Sequence, residues 1–330
     1  ESLSPAPPPL PAPPPVPLPP LPPCPNPHGL RRPRQACSPS LLPSRTNLFK
    51  RVPLAVYPAN DLPRRSPSAD TTRELPILYI FTTKEDAQVG RPSFNPSCLK
   101  WQTVLKIARL PFTTTPSTNH ASPSGALPFL LPPPSPTRSN NLPIPAGDAL
   151  LNHAVSHSPA KTPPTLADDL PPRQEAYLAL LHARLRPAFL HALYVNPINT
   201  PLLQALYVNP CTSNSIVRAT LQHQVRSAAE AEILASTKAA YIDADALYQD
   251  AVAGFAALET LLSGTAGGEG FFSGGDEAGL FDAEVFAYTG VILDERLGWV
   301  DRRLAEALRA SPGLVRHRER MMVTYFPEKA

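Results

Sequence analysis

Sulfur is scarce in this chain: 330 residues hold four cysteines and two methionines. The cysteines, Cys24, Cys37, Cys98 and Cys211, stand at no metal-ligand spacing, and no Cys-x-x-Cys occurs, since Asn95 lies three before Cys98. That excludes a dithiol redox pair and a disulfide framework, and it fits a reducing compartment. Long apolar runs are missing too. No window approaches the ~20 consecutive apolar residues a membrane-spanning helix needs. Residues 264–275 are glycine-rich but lack the Lys-Ser/Thr of a phosphate loop. His153 and His157 are spaced i,i+4, yet no third ligand accompanies them, so a solvated helix face is expected and not a metal site. Basic residues are not interleaved with stacking aromatics, which argues against nucleic acid as a partner.

Proline is in excess. Of 46 prolines, 22 fall within residues 1–67. Proline fixes φ and removes a backbone donor, so residues 1–45 are expected to be a disordered, polyproline-II-like leader. The prolines interrupt any apolar signal region and forbid an amphipathic presequence helix. Such runs also match SH3-like or WW-like recognition, a weaker reading. Residues 46–73 contain Phe49, Val52, Leu54, Val56 and Tyr57, an extended segment with side chains to dock. Of these, Phe49, Val56 and Tyr57 are candidate partner contacts. The net charge of +3 is unevenly placed. Residues 1–66 have eight basic against two acidic residues, and residues 173–330 have fourteen against eighteen. A basic leader is drawn to an anionic membrane face or an acidic partner.

From residue 74 the pattern predicts an α/β half over 74–157, a Pro-rich linker over 158–172, and an all-helical half over 173–330. The β-rich run from Leu75 to Thr83 reads as a central strand buried on both faces. Pro96 and Ser97 open a helix to about Arg109, because proline is harmless in a first turn. Phe112 to Ser117 reads as a second strand, 129–131 and 142–144 as a hairpin, and 148–157 as a short helix. Tyr177, Leu181, Leu185, Ala188 and Ala192 recur at helical spacing, with Pro187 expected to bend that helix. The hexapeptide Ala192-Leu193-Tyr194-Val195-Asn196-Pro197 repeats as Ala205-Leu206-Tyr207-Val208-Asn209-Pro210, and each Asn-Pro should stop a helix. Helices are further expected over 212–240, carrying Val217, Leu221, Val225 and Ile233, and over 243–263. Beyond these lies a helix from 279, apolar almost all round and with Asp282 at a capping-box position. In the last clear helix, Leu297, Val300, Leu304 and Leu308 should point inward, with Asp301, Arg302, Arg303 and Glu306 outward. Residues 316–320, Arg-His-Arg-Glu-Arg, read as a helix surface.

Cys98 is the one cysteine placed for chemistry, at a helix N-terminus that lowers a thiol pKa. A small buried core residue is the weightier reading of it. Leu127-Pro128 is expected to be a cis peptide leading into a strand, with Leu127, Pro128 and Phe129 forming an extended-peptide groove. A glutathione transferase needs Glu-Ser or Gln-Ser after the fourth strand, where this chain has Pro-Ile-Pro-Ala-Gly-Asp over residues 143–148.

Together, Asn95-Pro96-Ser97-Cys98-Leu99-Lys100-Trp101-Gln102, the stretch from Ser122 to Phe129, the stretch from Phe281 to Tyr288 and the segment 314–320 resemble the metaxin family. The motif residues Asn95, Pro96, Cys98, Trp101 and Asp282 are singled out by this resemblance, which spans about residues 75–325. It implies a glutathione-transferase-like fold, thioredoxin-like sheet first and helical bundle second, with no catalysis, cofactor or metal. It further implies a peripheral, metaxin-2-like subunit of the sorting and assembly machinery, on the cytosolic face of the mitochondrial outer membrane. The implied partners are a β-barrel insertase, a second metaxin-like subunit and β-barrel precursors carrying a C-terminal β-signal, with the membrane reached through these partners. The alternative is a glutathione-dependent transferase or thiol reductase using Cys98.

Overall fold

A computed structural model describes residues 73–134, 142–159, 166, 170–265 and 270–327. The leader and the docking segment through residue 72, with Phe49, Val56 and Tyr57, lie outside them, as does most of the linker. Four strands form one sheet in the order β2-β1-β3-β4: β1 (Ile77–Ile80), β2 (Thr113–Pro116), β3 (Phe129–Leu131) and β4 (Ile144–Pro145). β1 pairs parallel with β2, Ile77 opposite Thr113, and antiparallel with β3, Leu78 opposite Leu130. Leu78, Tyr79 and Ile80 are buried, as an apolar strand with neighbours on both edges must be.

Between β1 and β2 run α1 (Lys84–Val89) and α2 (Pro96–Ile107). α1 was not expected, because it buries no residue and so leaves no apolar period. What makes it is its ends: Thr83 Oγ1 accepts the Asp86 amide, and Gly90 closes it in the left-handed region (φ 73°). At α2, the Asn95 side chain accepts the Cys98 amide and Pro96 sits in the first turn. The helix is buried on two sides, Leu99, Trp101, Val104, Leu105 and Ile107 all being inside. Each such side chain contributes about 1.5–3 kcal/mol. α3 (Asp148–Ser156) completes this half.

The second half is helical. α4 (Pro172–Leu180) continues through a π-helical turn at Leu181–Leu185 into α5 (Arg186–Leu190). The wide turn is how Pro187 is accommodated: Arg186 N–H reaches Leu181 five residues back, just before the proline that has no amide to give. Both hexapeptide repeats then end alike. The π turn His191–Val195 closes with Asn196 N–H donating to His191 O at 2.8 Å. The π turn Gln204–Val208, after α6 (Thr200–Leu203), closes with Asn209 N–H donating to Gln204 O, also at 2.8 Å. The copies part at the stop. Asn196 turns extended (ψ 118°) and caps Ile198 N–H, whereas Asn209 stays helical (ψ −37°) despite the proline after it.

α7 (Ser215–Thr237), α8 (Ala244–Ser263), α9 (Leu280–Ile292), α10 (Arg303–Arg309) and α11 (Pro312–Tyr325) follow. Every residue of α9 from Phe281 to Ile292 is buried, and α9 packs on α2 so closely that a Cβ on Gly290 would stand 3.0 Å from Leu99 Cδ2. In α7 only Ala229 and Ile233 are buried; Val217 is exposed, and Leu221 and Val225 are half-buried. For Val300 and Asp301 the expectations are corrected. Val300 is 60% exposed, because the helix of Leu304 and Leu308 starts only at Arg303, after Gly298 turns left-handed (φ 71°) and Trp299 goes inward. Asp301, expected outside, has a buried side chain held by Asn196, Arg303 and the Asn199 side chain that accepts its amide.

Candidate functional site

The N-terminus of α2 faces the two tyrosines of the hexapeptide repeat. Asn95 Nδ2 donates to the Tyr207 hydroxyl at 3.1 Å while its Oδ1 caps Cys98 N–H. The Tyr207 ring stands edge-on to Phe81 (5.0 Å between centroids) and Phe94 (5.4 Å), and Tyr194 lies against it at 5.5 Å. An aromatic cluster therefore packs over the start of α2.

Cys98 is fully buried behind it. Its Sγ accepts the Phe81 amide at 3.5 Å. Burial pushes the thiol up to about 12, and the Phe81 and Ser93 hydrogen bonds that favour a thiolate only partly offset it. Burial also raises the Tyr194 hydroxyl to about 12 and the Tyr207 hydroxyl well above its ordinary value, so neither offers an oxyanion near neutral pH. The segment before the helix is locked: Ser93 Oγ donates to Phe81 O at 2.5 Å, Gln102 Oε1 accepts Ser93 N–H at 2.9 Å, and Gln102 Nε2 donates to Arg91 O at 2.8 Å.

Leu127-Pro128 is cis, as expected. Leu127, Pro128 and Phe129 are all buried. Leu127 N–H donates to Asn119 Oδ1 at 3.0 Å, and Pro128 O accepts Ala146 N–H at 3.2 Å. Phe129 stacks on Tyr79 (4.5 Å, 12°). The backbone polarity that an extended ligand would use is already engaged by the chain itself.

Charged groups cross between the halves nearby. Lys100 on α2 pairs with Glu284 on α9 at 2.5 Å, with His182 at 3.6 Å from the same carboxylate. Burial holds His182 below its usual value, outweighing Glu284. Arg186 bonds Glu232 at 2.6 Å and the Tyr288 hydroxyl at 3.3 Å. Elsewhere on α9, Asp282 makes half of a capping box by accepting Gly279 N–H at 2.8 Å. Its other oxygen accepts Phe272 N–H (2.7 Å) and His317 Nε2 (2.9 Å). His317 is 1% exposed, which corrects the reading of 316–320 as plain helix surface.

Of the residues singled out from sequence, Asn95, Pro96 and Cys98 meet at one helix start, Trp101 lies one turn on, and Asp282 is a structural anchor. Tyr194, Tyr207, Ser93, Asn119 and His317 were not anticipated. The repeated hexapeptide was the available signal for the tyrosines. Among the described residues, no group of three or more His, Cys, Asp or Glu is placed to hold a metal, and no helix is long and apolar enough to cross a membrane.

Two family descriptions match the sequence: glutathione S-transferase N-terminal domain over residues 96–199, and glutathione S-transferase, C-terminal domain over residues 251–321. No curated protein matches it. Among solved structures, a glutathione S-transferase of Ceriporiopsis subvermispora in complex with glutathione is 18% identical, with a TM-score of 0.49, covering 76% of this chain and 98% of that one. A glutathione transferase from Phanerochaete chrysosporium is 16% identical, with a TM-score of 0.46, over 73% and 97%. FzlA from C. crescentus is 18% identical, with a TM-score of 0.38, over 76% and 92%.

Proposed function

We propose that this chain, whose two halves have the glutathione S-transferase fold, is a docking subunit and not a transferase. The observation that carries the reading is the filled thiol site: Tyr207 occupies the approach to α2, Cys98 is sealed and protonated, and Asn119 takes the Leu127 amide. A transferase must present a ligand-accessible group that favours a thiolate. Here burial opposes one.

On the sequence resemblance to metaxins, the docking role is that of a peripheral subunit of the sorting and assembly machinery, held on the cytosolic face of the mitochondrial outer membrane by a β-barrel insertase and a second metaxin-like subunit. It would receive β-barrel precursors there and aid their insertion. The absence of a bilayer-spanning helix among the described residues is compatible with attachment through partners. The last strand of a precursor offers unpaired amides and alternating apolar side chains, and strand addition satisfies both. Pairing at Leu127-Pro128 requires Asn119 to release its bond first.

Affinity purification of the tagged chain from solubilised mitochondria tests the reading, beside glutathione conjugation by the purified chain. Recovery of a β-barrel insertase with a second metaxin-like subunit, and no turnover, is expected. Conjugation that disappears in Cys98→Ser would overturn it.

A further inference from the structure

A cavity of about 550 Å³ lies away from the thiol site, between residues 89–92 after α1, the turn 293–296 after α9, and one face of α11. That volume is within the range of small-molecule sites, about 300–1,000 Å³. Its lining has two chemistries. Leu293, Val315, Met322 and Phe326 supply an apolar side. Opposite in character are four arginines, Arg91, Arg296, Arg309 and Arg318, against the carboxylates of Asp294, Glu295 and Glu319. Asp86, which pairs with Arg91 from outside the lining, brings the carboxylates to four, so the charges balance.

The pairing is nonetheless uneven. Arg91 is paired with Asp86 at 3.1 Å, Arg296 with Asp294 at 2.7 Å, and Arg309 with Glu295 at 3.3 Å. Arg318 has no hydrogen bond or ion pair among the described residues, and its Nε is buried without a partner. It is half-buried, and burial pulls its pKa below the ordinary guanidinium value, with Asp294, Glu319 and Glu295 acting against this only from a distance. An unpaired, partly desolvated guanidinium is costly, and an incoming anion relieves the cost.

We propose that this cavity binds a small amphipathic monocarboxylate, its carboxylate on Arg318 and its hydrocarbon body against Val315, Met322 and Phe326. One carboxylate serves the one guanidinium without a partner. A dianionic phosphate would bring a second negative charge beside Asp294, Glu295 and Glu319. A neutral alcohol would bury the apolar body and leave Arg318 as it is. The inference is independent of the docking role.

Calorimetric titration of the full chain with octanoate, octanol, octyl phosphate and inorganic phosphate tests it. One octanoate per chain is expected, binding more tightly than the other three. Arg318→Gln should weaken octanoate by about tenfold or more, the loss of one charge-assisted hydrogen bond, and Arg318→Lys by less. Equal affinity for octanol, tighter binding of either phosphate, or no binding of octanoate overturns the proposal. So does an Arg318→Gln chain that binds undiminished. If Arg318→Gln fails to fold, Val315→Trp, which fills the cavity from a half-buried position, must abolish binding; retained binding overturns the proposal equally.

Discussion

Asn95 and Tyr207, 112 positions apart, are joined by a 3.1 Å hydrogen bond that ties the start of a helix in the sheet half to the second copy of the repeat in the helical half. Asn95 serves two ends at once, since its oxygen caps the helix while its nitrogen holds the tyrosine. Tyr207→Phe should cost about 1 kcal/mol of stability, one neutral hydrogen bond. Asn95→Ala should cost more, about 2 kcal/mol, because the cap goes with it. Urea unfolding of both and of the double variant measures the coupling; strictly additive losses would mean that the bond is absent in solution.

Cys98 should resist alkylation. Iodoacetamide on the folded chain is expected to modify half-buried Cys211 well before Cys98, as read by peptide mass spectrometry. Stability should also fall at alkaline pH. Folding raises the Cys98 thiol from 9.0 to about 12, and the Tyr194 and Tyr288 hydroxyls from 10.0 to about 12. In that window the unfolded chain releases protons that the folded chain retains, so each rise in pH favours unfolding. Urea midpoints taken from about pH 8 to about pH 11 should decline steadily through the upper half of the range. A flat profile contradicts the burial.

Asp282→Ala should be among the most damaging single changes. It strips partners from two backbone amides and from His317 at a site with no water access, an effect of about 3–5 kcal/mol. Adding His317→Ala to it should cost little more, because the pair is already broken. Thermal melts of both variants and of His317→Ala alone give the answer.

Asn119→Ala frees the Leu127 amide. If precursors are captured by strand pairing at that amide, the variant should crosslink more β-signal peptide than the parent chain, by several-fold, with assembly into the complex unchanged. Unaltered crosslinking places the precursor elsewhere.

The strands, the α2 start, the cis proline and the all-buried α9 were legible because each has a strong local cause: a β-branched run, a capping Asn-Pro, or an apolar helix with no polar face. α1 was not, because its stability comes from Thr83 and Gly90 and from no apolar stripe. His317 was readable in principle, sharing a face with Leu314 and Met321 at helical spacing, but the four charged residues around it masked the period. Val300 was misplaced because the apolar spacing of 297–308 runs across a left-handed glycine that breaks the helix. The aromatic cluster at the start of α2 depends on which tyrosine reaches across from the other half, a long-range fact that no local pattern holds.

Because α9 is enclosed from Phe281 to Ile292, with the sheet half covering part of it, the two halves share a single interior. Cleaving the chain in the Pro-rich stretch between them should therefore leave a nicked molecule that stays together and melts in one step. Expressing either piece alone should give material that clings to chaperones or precipitates.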